Sequence, residues 1–239
     1  MITKIFITKT ILRRIQLFSL FILFNLLFGS IGTVVETSEI QRQSFNSSFK
    51  DMGLDWYWNI ATYCDLLKEP GGKKRIKEFS SNSLDEATIE IIHSKKEEYF
   101  EKFLTHSISP RDNVVEIINK CLENDIKVGF ITSTSKKNIN SIQNALKSKL
   151  DFSVFNIITS IEDVKSPKPS SEVYEFALKK LGLNKNNVYA IEDTKANQSA
   201  ALNIGIKCFF NPGEYALVNP KDNPNYNILE SVDSIIKAF

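Results

Sequence analysis

From Arg111 to Phe210, short apolar runs alternate with stretches in which apolar residues recur every three or four positions. The runs predict strands, and they read KVGFIT (Lys127–Thr132), FNIITS (Phe155–Ser160), VYAIED (Val188–Asp193) and KCFF (Lys207–Phe210). The stretches between them, NINSIQNALKSKL, EVYEFALKKLG and QSAALNIG, predict helices. Strands that alternate with helices indicate right-handed crossovers and a parallel sheet covered on both faces. We therefore expect an α/β fold.

The chain before Arg111 has a different pattern, with one apolar run that predicts a first strand and then helical patterns alone. Two helix starts, at Ser38 and at Ser83, have the serine-to-glutamine or serine-to-glutamate spacing of a capping box. Three helices are predicted, and an all-helical insertion directly after the first strand is typical of a cap. The expected architecture is a Rossmann-like parallel sheet core with that helical cap. The expected division is an N-terminal extension (1–20), a core (21–37 and 108–239) and a helical cap (38–107).

Composition narrows the range of partners. The 239 residues include 30 basic and 28 acidic side chains, which leave a net charge of +2. This balance gives no reason to expect nucleic acid or an anionic membrane as a partner. The three cysteines and two histidines show no zinc-binding spacing. Reduced, inert thiols are typical of the cytoplasm, where we expect the protein.

The N-terminal segment allows two interpretations. No acidic residue occurs before Glu36, and four basic residues precede the apolar run Leu17–Phe28. This order resembles a signal peptide or an organelle presequence, so residues 1–28 could target or anchor the chain. The run is shorter than the roughly 20 residues that span a membrane, so we expect no firm membrane association. The alternative is an extension followed by strand one, which cleavage after Ser30 would remove.

Polar side chains follow the predicted strands at the edge where an open parallel sheet binds ligands. Thr132 and Ser133 offer hydroxyl and backbone donors that suit a phosphate. Lys168 lies between two prolines at a helix start, where a cation favours a phosphate. Glu192 and Asp193 supply the oxygen ligands that Mg²⁺ prefers. Their order along the chain predicts a site for a phosphate and Mg²⁺.

Each of these signals also has a purely structural interpretation. The hydroxyl residues could cap the following helix, and so could the Glu-Asp pair. A lysine in a proline-rich turn is usually a solvated surface residue. Only their shared position at the strand ends favours the site.

A set of motifs in this sequence matches a known family. The motifs are GTVVETSEIQRQSFN, GLDWYW, GGKKRI, SPR, ITSTS, PKPSSEVY and AIEDT, and they run from about Phe28 to Phe210. The chain resembles the haloacid dehalogenase-like hydrolases with a helical cap. Within them it is most similar to the sugar-phosphate branch that includes phosphoglycolate phosphatase, β-phosphoglucomutase and xylulose-1,5-bisphosphate phosphatase. The resemblance implies hydrolysis of a phosphoric monoester with Mg²⁺ as cofactor.

The resemblance also implies roles for individual residues. Thr132 would hold the transferring phosphoryl group, and Lys168 would neutralise its charge. Asp193, helped by Glu192, would bind Mg²⁺. The positions implied to contact the substrate are Thr33, Arg42, Gly71, Gly72, Lys73, Arg75 and Ser133. Several of them lie in the cap, where a Gly-Gly turn before basic residues suits a second anionic group; a solvated cationic turn is the alternative.

One motif departs from the family pattern. The family begins with Asp-x-Asp-Gly-Thr, and this chain has Gly29 and Ile31 in place of the two aspartates. Glycine cannot attack phosphorus, isoleucine cannot transfer a proton, and Mg²⁺ loses a carboxylate ligand. Strand alternation is expected to turn Ser30, which lies between them, away from the site.

We therefore expect a protein that acts on or binds a small sugar phosphate, with a weakened Mg²⁺ site and impaired or altered phosphatase activity. The alternative is a non-catalytic pseudoenzyme or regulator that binds a sugar phosphate, with or without a protein partner.

Overall fold

The computed structural model describes residues 24–68, 71–104 and 108–216, so the predicted extension 1–20 lies outside the described residues. Its strands are β1 (Asn25–Gly29), β2 (Val128–Ile131), β3 (Ile157–Ile158), β4 (Val188–Glu192) and β5 (Lys207–Phe210). They form one five-stranded sheet in the order β3-β2-β1-β4-β5, and each pair of neighbours is parallel. The predicted parallel α/β fold is confirmed.

Eight α-helices occur in the described part of the chain. They are α1 (Ser38–Asp51), α2 (Ile60–Leu66), α3 (Gly72–Phe79), α4 (Glu86–Phe103), α5 (Val114–Glu123), α6 (Lys136–Leu146), α7 (Glu172–Leu181) and α8 (Lys195–Leu202). Short 3₁₀ turns lie at Phe152–Val154, Ile161–Asp163 and Lys185–Asn187. None of the described helices has the length and apolar character that crossing a membrane requires.

β1 lies at the centre of the sheet and is buried along its whole length. Leu26 and Phe28 pack into an apolar cluster with α5 and α6, and Leu27 packs into a second cluster with α7 and α8. Successive side chains of a strand point to opposite faces, so both faces of the sheet are covered by helices. This explains why the strand is a continuous apolar run rather than an alternating one.

The cap contains α1 to α4, one helix more than the sequence pattern predicts. The additional helix, α3, begins at Gly72, inside the segment predicted as a turn. An aromatic cluster holds the cap together, and its buried members include Phe45, Phe49, Trp58 and Tyr63. The ring centroids of Phe45 and Trp58 are 4.7 Å apart, a distance typical of packed aromatic pairs.

Both predicted capping boxes are wrong. Ser38 is the first residue of α1 rather than its N-cap, and its backbone N–H donates to Glu36 Oε1 at 2.8 Å. In α4 the N-cap is Asp85, whose side chain accepts a hydrogen bond from the backbone N–H of Thr88 at 2.7 Å. In each case a carboxylate close to the helix start takes the role assigned to serine.

Arg111 fixes the place where the chain returns from the cap to the core. Its guanidinium donates to the carbonyl oxygens of Gly32, of Asn211 at 3.2 Å and of Pro212 at 2.9 Å. Its backbone N–H donates to the Val34 carbonyl at 2.8 Å. One side chain therefore ties the segment after β1 to the segment after β5.

Candidate functional site

A cavity of about 590 Å³ lies between the carboxyl ends of the strands and the cap helices. The core contributes Thr132, Ser133, Lys168 and Asp193 to its lining. The cap contributes Gly71, Gly72, Lys73 and Arg75. The structure therefore brings these predicted site residues together around one space, although they are far apart in the sequence.

Thr132 directly follows β2 and is held by hydrogen bonds on both sides. Its backbone N–H donates to Thr159 Oγ1 at 2.8 Å, and the Thr159 hydroxyl donates to the Thr132 carbonyl at 2.9 Å. The Thr132 hydroxyl oxygen accepts from the backbone N–H of Thr134 at 3.1 Å, which leaves its hydrogen to donate elsewhere. A donor at the end of a buried strand is well placed to hold a phosphate oxygen.

Lys168 is not the solvated surface lysine that its proline-rich surroundings allowed, since it is only 3% exposed. Its ammonium donates to the carbonyl oxygen of Ile131 at 2.8 Å and to Glu192 Oε1. The Tyr174 hydroxyl donates to the same carboxylate oxygen. Burial, and secondly the charge of Glu192, raise the pKa of Tyr174 well above its ordinary value, so the phenol stays protonated. The lysine therefore enters the cavity as one half of a buried ion pair.

The other carboxylate oxygen of Glu192 lies against the backbone of Gly29. The residue pair Phe28–Ile191 is in register between β1 and β4, so the next residues, Gly29 and Glu192, lie side by side. A Cβ atom built on Gly29 would be 2.3 Å from Glu192 Oε2 and 2.7 Å from Thr33 Oγ1. Both oxygens are buried and have no hydrogen-bond partner among the described residues. The glutamate thus occupies the space that a side chain at position 29 would need.

Asp193 is the carboxylate that lines the cavity next to this pair. Burial, and secondly the charge of Glu192, raise its pKa to about 7. Asn197 Nδ2 donates to Asp193 Oδ1 at 2.8 Å. Gly32 has φ +79°, and a Cβ atom there would be 2.2 Å from Asp193 Oδ2, so only glycine fits beside the carboxylate.

These residues fit Mg²⁺ only in part. A nearby cation stabilises the ionised form of a carboxylate whose pKa is raised by burial. However, no three histidine, cysteine, aspartate or glutamate side chains converge on one point within the described ranges. Mg²⁺ is often held by one or two carboxylates, several waters and a substrate phosphate. Asp193 would be the direct protein ligand under that arrangement, and Glu192 would support it electrostatically.

The N-terminus of α3 forms the cap side of the cavity. Gly71 precedes this helix with φ +104°, no side chain caps the first turn, and the first turn contains no acidic residue. Gly72 packs closely on His93, because a Cβ atom there would be 2.7 Å from His93 Nε2. Lys73 forms an ion pair with Glu90 at 2.5 Å, and Arg75 Nε donates to the Leu66 carbonyl at 3.1 Å.

Two predicted substrate contacts lie elsewhere. The Arg42 guanidinium donates to both carboxylate oxygens of Glu39 and to the carbonyl of Trp58 at 2.7 Å, and it does not line the cavity. These Arg42 hydrogen bonds are the main cause that lowers the pKa of Glu39 to about 2. Thr33 lines a second cavity of about 400 Å³, which Phe28 and Glu36 also line.

Strand alternation predicts that Ser30 points away from the site. In the structure, Ser30 lines the main cavity together with Ile31. β1 ends at Gly29, and the chain bends at the next residue, so strand alternation no longer decides where Ser30 points.

Sequence reasoning misses several polar cavity residues, among them Gln41, His93 and Lys96. Lys96 is one of two consecutive lysines in a helix rich in charged residues, and no sequence signal separates it from the exposed ones. On the sequence alone, the two histidines are considered only as zinc ligands. Burial, and secondly the charge of Lys96, lower the pKa of His93 to about 4, so its ring is neutral at pH 7.

Comparison with known proteins identifies the family. The sequence model described as haloacid dehalogenase-like hydrolase matches residues 31–210. The chain belongs to the haloacid dehalogenase-like hydrolases.

Within this family, the chain is similar to proteins named CbbY. It is 32% identical over 194 residues to the protein CbbY of Rhodobacter capsulatus, covering 80% of this chain and 86% of that protein. CbbY from Rhodobacter sphaeroides, crystallised in complex with phosphate, is 28% identical with a TM-score of 0.80, covering 89% of this chain and 96% of that one. A point mutant of that protein, in complex with xylulose-(1,5)bisphosphate, matches with a TM-score of 0.79 at 28% identity, covering 88% and 95% of the two chains.

Proposed function

We propose that the chain binds a small sugar phosphate with two anionic groups, and that its phosphatase activity is impaired or altered. The observation that carries the proposal is one cavity with groups suited to a phosphate on each side. Lys168 and Thr132 lie at the core end, and the N-terminus of α3 lies at the cap end.

The cap end supports an anionic ligand on electrostatic grounds. The start of a helix carries partial positive charge from its unpaired backbone N–H groups. In α3 the residues Lys73, Lys74 and Arg75 add cations at this same end, without an acidic residue in the first turn. Cations at a helix N-terminus are unfavourable in isolation, whereas an anion there is stabilised by the dipole and by the side chains. A phosphate group at this end would relieve the repulsion.

The dimensions and the relatives agree with this ligand. A volume of about 590 Å³ falls within the range of roughly 300–1,000 Å³ typical of small-molecule sites. The CbbY structure with xylulose-(1,5)bisphosphate shows that a homologue of the same fold accommodates a sugar bisphosphate. Binding of such a ligand by this chain is our inference from that similarity and from the charge distribution.

The chemistry proposed for the core end is limited by the residue at position 29. Thr132 would donate to the phosphoryl group, and Lys168 would offset its charge, although it already shares that charge with Glu192. Mg²⁺, when bound beside Asp193, would neutralise further negative charge on the phosphate. Gly29 supplies no nucleophile. Turnover would therefore depend on attack by water, and the loss of a nucleophile can slow an enzyme by about 10⁶.

A second candidate function is binding without turnover. It is favoured by the position of Glu192, because its carboxylate fills the place beside Gly29 and is itself held by the Lys168 ammonium and the Tyr174 hydroxyl rather than free to attack phosphorus. The chain would then act as a non-catalytic sugar-phosphate-binding protein.

The test is a phosphate-release assay on the purified chain, with and without Mg²⁺, using xylulose 1,5-bisphosphate, phosphoglycolate and p-nitrophenyl phosphate. The same compounds are examined by thermal shift, and a Thr132→Ala, Lys168→Ala variant is compared. We expect a melting shift with the bisphosphate that is lost in the variant. Release that requires Mg²⁺ and disappears in the variant indicates altered catalysis, and a shift without release indicates binding alone. No shift and no release with any compound would reject the proposal.

A further inference from the structure

Lys96 is a buried amine on the cavity wall that the proposed binding mode does not use. It belongs to α4, lines the cavity and is only 3% exposed. Its nitrogen lies 5.3 Å from the ring centroid of Phe45 and 5.0 Å from that of Phe100. Within the described ranges, its nitrogen makes no hydrogen bond and no ion pair.

This environment favours the neutral amine. Aromatic faces attract an ammonium, but they do not replace the hydration that a buried charge loses. Burial is the main cause that lowers the pKa of Lys96 to about 7, while Glu97 raises it and Arg75 lowers it further. The usual pKa of lysine is 10.5, so an exposed lysine is almost entirely protonated at neutral pH. The lowered pKa gives Lys96 an available nitrogen lone pair far more often than an exposed lysine near neutral pH.

The neighbouring charged groups do not neutralise Lys96. Glu97 directs its carboxylate to the core, where it accepts a hydrogen bond from the Ser135 hydroxyl at 2.7 Å. Glu90 pairs with Lys73. His93 lies one helical turn before Lys96 and also lines the cavity, and its neutral ring can both accept and donate a proton.

We propose that Lys96 is a nucleophilic lysine that captures the carbonyl group of an open-chain sugar phosphate as an imine. A lysine desolvated in an apolar pocket or placed next to another cationic group has the features of amines that form imines with carbonyl substrates. The inference rests on the proposed function, because the phosphate-binding ends of the cavity would bring the carbonyl compound to the amine.

The reaction balances without an oxidant or a reductant. The nitrogen lone pair of Lys96 attacks the carbonyl carbon, a C–N bond forms, and the C=O π electrons move to oxygen. The proton lost from nitrogen reaches that oxygen, with the His93 ring available to transfer it, and a carbinolamine results. Loss of the hydroxyl group as water, with a second proton from nitrogen, gives the imine. Addition of water reverses each step and releases the ligand.

The test is reductive trapping on the full chain. The protein is incubated at pH 7 with xylulose 1,5-bisphosphate or glyceraldehyde 3-phosphate, and sodium cyanoborohydride then reduces the imine to a stable amine. Intact mass is expected to show one adduct per chain, and peptide mapping is expected to place it on Lys96. The difference in neutral amine predicts labelling about 10²–10³ times faster than at an exposed lysine.

Two variants make the result specific. Lys96→Arg keeps a cation but cannot form the imine, so it should lose the adduct while a melting shift with the bisphosphate remains. Lys95→Arg is the matched control, because Lys95 is the adjacent residue and lies 3.5 Å from Asp51 on the protein surface. It should keep the adduct. Should Lys96→Arg fail to fold, peptide mapping of the labelled wild-type chain still shows whether the adduct is on Lys96.

Two results would overturn the inference. One is a bisphosphate that shifts the melting temperature without forming an adduct, which would make Lys96 only a counter-ion and leave the proposed function intact. The other is labelling spread over exposed lysines with Lys96 unmodified. Absence of both adduct and melting shift with either probe rejects the inference and the proposed function together.

Discussion

Two lysines, equally buried at opposite ends of one cavity, have opposite electrostatic surroundings. Lys168 at the core end is held by a carboxylate and a backbone carbonyl. Lys96 at the cap end lies over two phenyl rings and has no anion paired with it among the described residues. The two sites therefore differ in whether the buried lysine has an anionic partner. Because of this difference, the two ends of the cavity are expected to respond differently to substitution and to pH.

The largest effect should follow from removing the partner at the core end. Glu192→Leu leaves the Lys168 ammonium buried without a counter-ion, which is expected to lower the free energy of unfolding by about 3–5 kcal/mol. Urea denaturation at pH 7 measures the change. Glu162→Gln is a suitable control, because Glu162 is an acidic residue of the same cavity lining that lies outside the buried ion pair. A loss below about 1 kcal/mol for Glu192→Leu would show that the ion pair does not hold the core end together.

Substitution of Lys96 at the cap end should instead raise the free energy of unfolding at low pH. Lys96→Met keeps the volume and removes a buried charge, so the variant is expected to be more stable than the wild type at pH 6 by about 2 kcal/mol. Each pKa unit corresponds to about 1.4 kcal/mol. The lowering of the Lys96 pKa from 10.5 to about 7 therefore limits the gain to about 5 kcal/mol.

The pH dependence of this gain follows from proton binding. Between pH 7 and 10.5 the unfolded chain keeps the lysine proton that the folded chain has lost. Because the unfolded chain binds more protons there, the stability of the wild type rises with pH. The stability advantage of Lys96→Met over the wild type should therefore be smaller at pH 9 than at pH 6. Urea denaturation at both pH values measures it. A gain of equal size at both pH values would mean that Lys96 stays charged in the folded protein.

The comparison of the two lysines also shows what the sequence could predict. The strand runs placed Lys168 and Asp193 at one sheet edge, because a parallel sheet brings the ends of its strands together. Lys96 could not be found in this way. Its neighbour Lys95 has the same side chain, and only the packing of α1 against α4 decides which of the two is buried.

The Rossmann-like fold was predictable for a similar reason, since continuous apolar strands and amphipathic helices have different periods. The local details were not. From the sequence, the start of α3 at Gly72 is predicted as a turn, because glycine weakens a helix. The need for glycine there comes from the close approach of His93, which the sequence does not show. The carboxylate of Glu192 lies against Gly29 because β1 and β4 are in register, which a sequence pattern does not specify.

The smallest effect should come from the exposed cations at the cap end, where charge can be changed with little change in stability. Lys73 is about half exposed and pairs with Glu90, and exposed pairs contribute about 0–1 kcal/mol. Lys73→Gln should therefore leave the unfolding free energy nearly unchanged and weaken the binding of xylulose 1,5-bisphosphate about 3- to 10-fold, because one cation at the start of α3 is lost. Titration calorimetry at low and high salt measures the change, which should decrease at high salt.

Lys77→Gln is the matched control, since Lys77 lies in the last turn of the same helix and pairs with Glu86 at 2.5 Å. Equal losses for the two variants would mean that the general charge of α3, rather than its N-terminus, attracts the ligand.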